Sequence, residues 1–70
     1  MGEEFRWEFK EIGQGHYSTD LHVCLDDARR ASKEKPDLIV IVERFRPLRW
    51  TITEMKNGEE TARWREIMEL

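Results

Sequence analysis

Seventy residues are enough for one domain, and a chain of this length buries only about 60% of its unfolded surface, so its core is thin. Charged residues make up 39% of the chain, yet three tryptophans and three phenylalanines in clear patterns argue against disorder. The net charge of −3 argues against a general nucleic-acid binder, and the longest apolar run, residues 38–42, is too short to span a membrane.

The chain contains one cysteine, Cys24. A single thiol forms no internal disulfide and supplies no cysteine zinc site by itself, which favours a reducing compartment. Residues 2–11 are charged where a signal peptide would be apolar. We therefore predict a single cytoplasmic domain over residues 1–70, without a cofactor.

Two alternating segments predict the first two strands. In the first segment, apolar residues alternate with charged ones. The aromatic side chains of Phe5, Trp7 and Phe9 are predicted to face inward, and the charged side chains between them to face water. Glycines at 13 and 15 favour a tight turn. Residues 16–23 keep a period of two and favour a second strand in a hairpin with the first; a helix starting at Ser18 or Thr19 is the rival interpretation.

Residues 24–35 predict a helix. Its first turn would hold Asp26 and Asp27, where acids suit the helix dipole. Pro36 ends it, because the residue before a proline is pushed out of the α region. The residues of its narrow apolar stripe are Leu25, Ala28 and either Ala31 or Ser32.

Residues 38–42 are apolar on both faces, which is typical of a central strand. We predict that the helix covers Ile39 and Ile41, together with Trp7 and Leu21. Because one helix cannot cover both faces, the opposite face of this strand would be an apolar patch covered by the C-terminal segment or by another chain, and a homodimer is one candidate.

The rest of the chain predicts a hairpin and one uncertain element. After a turn at 46–49, residues 50–56 favour a fourth strand, and Asn57-Gly58 is a two-residue hairpin signal. Residues 60–66 favour a fifth strand; a helix over 59–69 is the alternative. The predicted fold is α+β, an antiparallel sheet of four or five strands with one helix on one face, in the order β-β-α-β-β-(β or α).

Two constellations could carry chemistry, and neither is favoured. His16, Asp20, His22 and Cys24 would share one face of the second strand, but that is the solvent face and no second ligand pair exists elsewhere, so we predict no metal site. A nucleophilic Cys24 with a histidine base lacks an orienting group and an oxyanion hole. We predict that the chain is not an enzyme.

The strongest candidate for a binding site is the basic hairpin that contains Arg44, Arg46, Arg49 and Trp50. Arginine beside an exposed aromatic ring is a common composition of protein interfaces, and the same residues could hold phosphates and stack a base. The alternative is that Trp50 belongs to the core and the arginines keep an edge strand from aggregating.

Residues 24–33, the apolar strand that follows, Trp50, Asn57-Gly58 and Trp64 together resemble small phage-encoded proteins of the anti-CRISPR type. The resemblance covers residues 24–64 and implies a protein that binds and inhibits a host protein machine; it assigns no individual functional residue. We predict a protein partner, with a nucleic-acid-binding accessory domain that uses the Arg44–Trp50 hairpin as the alternative.

Overall fold

The computed structural model describes residues 2–63, which form five strands and one helix in the order β-β-α-β-β-β. The elements are β1 (Glu4–Phe9), β2 (Gly15–Ser18), α1 (Leu21–Glu34), β3 (Val40–Arg46), β4 (Trp50–Lys56) and β5 (Glu59–Arg63). The strands form one antiparallel sheet with the spatial order β2-β1-β3-β4-β5. The predicted α+β class and the central position of the third strand are confirmed.

Strand β1 follows the alternation of its sequence. Phe5, Trp7 and Phe9 are buried toward α1, as predicted, and the rings of Trp7 and Phe9 meet edge to face at 5.4 Å. The intervening side chains of Arg6 and Glu8 are half-buried on the other side of the sheet, where solvent exposure was predicted. The two side chains form an ion pair with each other.

The prediction of a strand through residue 23 is wrong, because the helix starts at Leu21. Asp20 is its N-cap, and the carboxylate accepts hydrogen bonds from the backbone N–H groups of His22 and Val23 at 2.8 and 3.2 Å. This satisfies donors that have no partner within the helix. The predicted acidic pair at 26 and 27 therefore lies in the second turn. The end of the helix, before Pro36, is as predicted.

The face of β3 that packs under α1 is the opposite of the predicted one. Val40 and Val42 are completely buried there, since they pair across strands with Phe9 and Trp7, whose side chains face the helix. Ile41 is half-buried on the other face. Both sides of this strand are apolar, so alternation alone does not say which side meets the helix.

Strands β4 and β5 form the predicted hairpin. Asn57 and Gly58 both have positive φ, at 52° and 81°, which is the turn geometry that Asn-Gly favours. Residues 59–63 are a strand, so the preferred interpretation of the fifth element is confirmed there. The predictions for Trp64 and the residues after it lie outside the described residues.

The core lies between α1 and one face of the sheet. Its side chains without solvent exposure include Met55, Val40, Val42, Thr53, Cys24 and Ser32. Within residues 2–63, no element covers the opposite face, here called the open face. The open face carries charged and aromatic residues around Ile41, where an apolar patch was predicted. No helix in this part of the chain is long and apolar enough to cross a membrane.

Candidate functional site

The structure divides the four residues predicted to bind a partner, Arg44, Arg46, Arg49 and Trp50, between different surfaces. Arg44 pairs across strands with Phe5 and Trp50, so it shares the helix-side face with the core. Its guanidinium lies 4.4 Å from the centre of the Trp50 ring and 3.5 Å from the carboxylate of Glu3. The Arg44 side chain is only 15% exposed, and Trp50 packs against the core, so this pair closes one end of the core.

Arg49 lies on the open face, bound to Glu43. Its Nε and Nη2 donate hydrogen bonds of 2.9 and 3.1 Å to the two carboxylate oxygens of Glu43, a fork geometry that fixes both side chains. These hydrogen bonds, and then the charge of the same carboxylate, raise the pKa of Arg49 above its usual value. The turn that brings Arg49 back over β3 includes a cis peptide bond between Arg46 and Pro47.

Five side chains on the open face form a closed ring of contacts, here called the open-face cluster: Arg6, Tyr17, Phe45, Arg49 and Glu43. The guanidinium of Arg6 lies 5.3 Å from the ring centre of Tyr17, which meets the Phe45 ring edge to face at 5.1 Å. Arg49 lies 5.0 Å from the Phe45 ring centre. Glu43 completes the ring, because Arg49 and Arg6, the latter at 3.7 Å, both pair with it.

Arg46 lies beside this cluster at the end of β3. Its Nε is 3.0 Å from the carboxylate of Glu4, and its guanidinium is 5.4 Å from the ring centre of Phe45. Phe45 is therefore contacted by two guanidinium groups and by Tyr17. Of the four residues named from the sequence, Arg46 and Arg49 are the ones that the structure brings together around one aromatic ring.

Arg46 and Arg49 are the outer members of their ion pairs on this surface. The side chain of Arg49 is 58% exposed and that of its partner Glu43 only 8%. For Arg46 and Glu4 the exposed fractions are 69% and 34%. A molecule that approaches this part of the open face therefore meets the guanidinium groups of Arg46 and Arg49 and the half-exposed ring of Tyr17, while the carboxylates of Glu4 and Glu43 are less exposed.

Sequence reasoning missed Arg6, Tyr17, Glu43 and Phe45. A signal existed, since Glu43 and Phe45 share a parity on β3 opposite to that of buried Val42, which places both on one face. The contact between Tyr17 and Phe45 had no signal in the sequence, because it crosses from β2 to β3 over the intervening strand β1.

A groove of about 360 Å³ lies between α1 and the β1–β2 hairpin. Trp7 and Phe9 contribute its apolar lining, and His16 approaches Trp7 with ring centres 5.5 Å apart. Side chains of both charge signs from α1 border it. The indole Nε1 of Trp7 is buried and has no hydrogen-bond partner in residues 2–63.

The four residues considered for metal binding or nucleophilic chemistry lie in four different environments. His16 is in β2, Asp20 caps the helix, and His22 is exposed on it. Cys24 is completely buried in the core; burial, and to a smaller extent the charge of Asp27, raises the pKa of its thiol to about 11. In the described part of the chain, no three His, Cys, Asp or Glu residues gather in a way that could hold a metal ion.

Comparison with known proteins found no matching family model, no matching curated protein and no matching solved structure. The similarity to small phage-encoded inhibitors therefore stays a prediction from the sequence.

Proposed function

We propose that this domain is a protein-binding module and that its partner docks on the open-face cluster and the adjacent Arg46. The observation that carries the proposal is the order of the ion pairs, with guanidinium groups of Arg46 and Arg49 outside and their carboxylates inside. Arginine and tyrosine are the residues that dominate the energetics of protein interfaces. The partner that fits is a protein surface that offers carboxylates around an apolar side chain.

The cluster is pre-organised for this role. Glu43 binds Arg49 through two hydrogen bonds and also contacts Arg6, while the Phe45 ring supports Arg49 from one side. A side chain that is already held in one geometry loses less conformational entropy when a partner binds. The ion pairs thus support binding because they fix the arginines before a partner arrives.

Local charge favours a protein partner over nucleic acid. Each arginine of this surface already pairs with a glutamate: Arg6 with Glu8, Arg46 with Glu4, and Arg49 with Glu43. Nucleic acid binds mainly through several phosphate contacts, and these carboxylates already neutralise the arginines, whereas a protein partner can combine one ionic contact with packing on the Tyr17 ring. The alternative, a nucleic-acid-binding accessory domain that uses the Arg44–Trp50 hairpin, has less support because Arg44 is mostly buried against Trp50.

The role of the module, as the resemblance in sequence implies, is to bind and inhibit a host protein machine in the cytoplasm, without catalysis of its own. Inhibition by docking requires a surface that is available before binding and rigid when bound. The open face meets the first requirement within residues 2–63, and the hydrogen bonds between Glu43 and Arg49 support the second.

The test begins with affinity capture from bacterial lysate, followed by purification of each captured protein and titration against the wild type. We expect Arg49→Gln and Tyr17→Ala to weaken the complex by about tenfold or more, as for interface hot spots. Arg49→Lys keeps the charge but loses the fork, and it should weaken the complex nearly as much. The matched control is Lys33→Gln, an exposed cation on α1 that lies outside the open face and does not line the groove beside the helix.

The proposal fails if purified partners bind Arg49→Gln and Tyr17→Ala as tightly as the wild type. A gel-shift series with DNA and RNA tests the alternative. If three arginines bind phosphates, the logarithm of the binding constant should fall with the logarithm of the salt concentration at a slope of roughly −2 to −3, because each phosphate contact contributes about −0.9. Such binding, lost in the folded double variant Arg44→Ala/Arg46→Ala, would replace the protein-binding proposal. A partner whose activity is lowered by the wild type and not by Arg49→Gln would support inhibition.

A further inference from the structure

Strand β2 forms one edge of the sheet, next to β1. In a strand, the N–H and C=O groups of successive residues alternate in direction, so two of the four residues of β2 direct these groups away from β1. An extended peptide could pair with them, as in recognition by strand addition.

The two edges of the sheet differ in the features that discourage pairing. Edge strands of native proteins are commonly protected by charged residues, prolines or bulges. Strand β5 begins with Glu59 and Glu60, and its register with β4 shifts at one position. The four residues of β2 include no lysine, arginine, acid or proline. Both edge strands are short, but of the two it is β2 that carries no charged residue and no register shift against its neighbour.

Strand β2 is held closely against β1. A Cβ atom at Gly15 would lie 1.9 Å from the carbonyl oxygen of Trp7, so only glycine fits there. His16 and Tyr17 then lie on opposite faces of the sheet. His16 lines the groove beside α1, and Tyr17 belongs to the open-face cluster. A strand added at this edge would place alternate side chains in the groove and beside the cluster.

The groove can receive a side chain of the added strand. Its apolar lining comes from Trp7, Phe9 and Ala31, and Asp27 and Glu34 add polar groups at its border. A side chain with apolar carbon atoms and a polar end therefore suits the groove.

We infer that β2 is a recognition edge that takes an extended peptide segment of the partner protein by strand addition. Alternate side chains of the peptide enter the groove on one face of the sheet and contact Tyr17 on the other. This inference rests on the proposal that the domain binds protein, and it specifies the mode of recognition.

The probe is a library of random displayed peptides of about ten residues, long enough to form a strand, selected against the whole chain. Each selected peptide is synthesised in two forms that are N-methylated at alternate residues. Because the peptide presents hydrogen-bond donors to β2 at every second residue, we expect one form to bind about tenfold or more weakly and the other nearly as well as the unmodified peptide.

Nuclear magnetic resonance locates the bound peptide. The indole N–H signal of Trp7, assigned from the spectra of Trp50→Phe and Trp64→Phe, should shift on binding together with the amides of residues 15–18. The variant His16→Lys, which adds a charge to the edge and to the groove, should weaken binding of the peptide. The matched control Thr61→Lys, on the exposed edge strand β5, should not.

The inference is overturned if no peptide is enriched over a selection against an unrelated protein. It is also overturned if both N-methylated forms bind equally, or if the shifts avoid both Trp7 and β2. Self-association of the chain that displaces the peptides would assign the edge to a second copy and would likewise overturn it. A partner weakened by Arg49→Gln and unaffected by His16→Lys would leave the proposed function standing and remove only the edge inference.

Discussion

The backbone N–H of Gly58 donates a hydrogen bond of 2.7 Å to the Oγ of Ser32, which lies 26 residues earlier in the chain. The same hydroxyl donates to the carbonyl oxygen of Arg29 at 2.9 Å, and the Ser32 side chain is completely buried. A second link runs nearby, because Arg29 Nε donates to the carbonyl oxygen of Gly58 at 3.2 Å. These bonds join the last turns of α1 to the β4–β5 hairpin.

Replacing Ser32 with alanine should lower the free energy of unfolding by about 1–3 kcal/mol, because the N–H of Gly58 would be left without its acceptor. Urea unfolding followed by tryptophan fluorescence measures the change. The control is Glu34→Ala, an exposed position two residues further along the same helix. Equal unfolding midpoints for Ser32→Ala and the parent would contradict the role of this hydroxyl.

Asp20→Ala should lower the free energy of unfolding by about 1 kcal/mol, a typical value for loss of an N-cap. The carboxylate accepts hydrogen bonds from two backbone N–H groups that the helix leaves without partners. Thermal unfolding followed by circular dichroism measures the effect, and Thr19→Ala, at the neighbouring exposed position, is the control. Equal thermal stability of Asp20→Ala and Thr19→Ala would mean that Asp20 does not cap the helix.

Val42→Ala should destabilise the domain more than Ile41→Ala, although isoleucine loses more atoms. Val42 is completely buried under α1, whereas Ile41 is half-buried on the open face. Loss of two buried carbon atoms and creation of a cavity cost about 2–3 kcal/mol at Val42. Chemical denaturation of both variants decides the order; a larger loss for Ile41→Ala would mean that the helix covers the other face.

Glu43→Gln should lower the free energy of unfolding by about 1–2 kcal/mol, because a carboxylate that accepts hydrogen bonds from arginine is replaced by a neutral amide. The Glu43 side chain is nearly buried between Arg6 and Arg49. Glu54→Gln, on the same face of the neighbouring strand, is the matched control. A similar stability for both variants, measured in urea, would show that the open-face cluster adds nothing to the fold.

The thiol of Cys24 should react with iodoacetamide only when the protein unfolds, because the side chain is buried and its pKa is raised to about 11. The unfolded thiol, with an ordinary pKa near 9.0, ionises first. The contribution of Cys24 to stability is therefore complete below about pH 9 and is lost as the pH rises toward 11. The stability difference between the parent and Cys24→Ala, measured across that range, should decrease; a constant difference would contradict the raised pKa.

Local patterns predicted the elements that depend on nearby residues. Period-two alternation identified β1 and its inward aromatic residues, and Asn57-Gly58 identified the last hairpin. The start of the helix was missed because alternation through Val23 imitates a strand, while Asp20, an ordinary N-cap residue, was assigned to that strand. Here the two hydrogen bonds that the Asp20 carboxylate accepts favour a helix start at Leu21 over continuation of the alternating strand.

The site depends on contacts that a local pattern does not contain. The hairpin arginines were identified as candidates, but their division between two faces follows from the register of β3 against β1 and β4, which shifts on both sides. The contact of Tyr17 with Phe45 requires the strand order β2-β1-β3. The strand order and register bring these residues together, whereas the sequence by itself identifies only which residue types are present.

The difference between the two sheet edges also limits how this chain can assemble. A fibre built by edge-to-edge pairing needs two receptive edges on every molecule, one for each neighbour. The two acids Glu59 and Glu60, together with the register shift against β4, make the β5 edge a poor partner for any further strand. Each molecule therefore offers one edge for pairing, that of β2, and an assembly made in this way is complete once a single strand has joined.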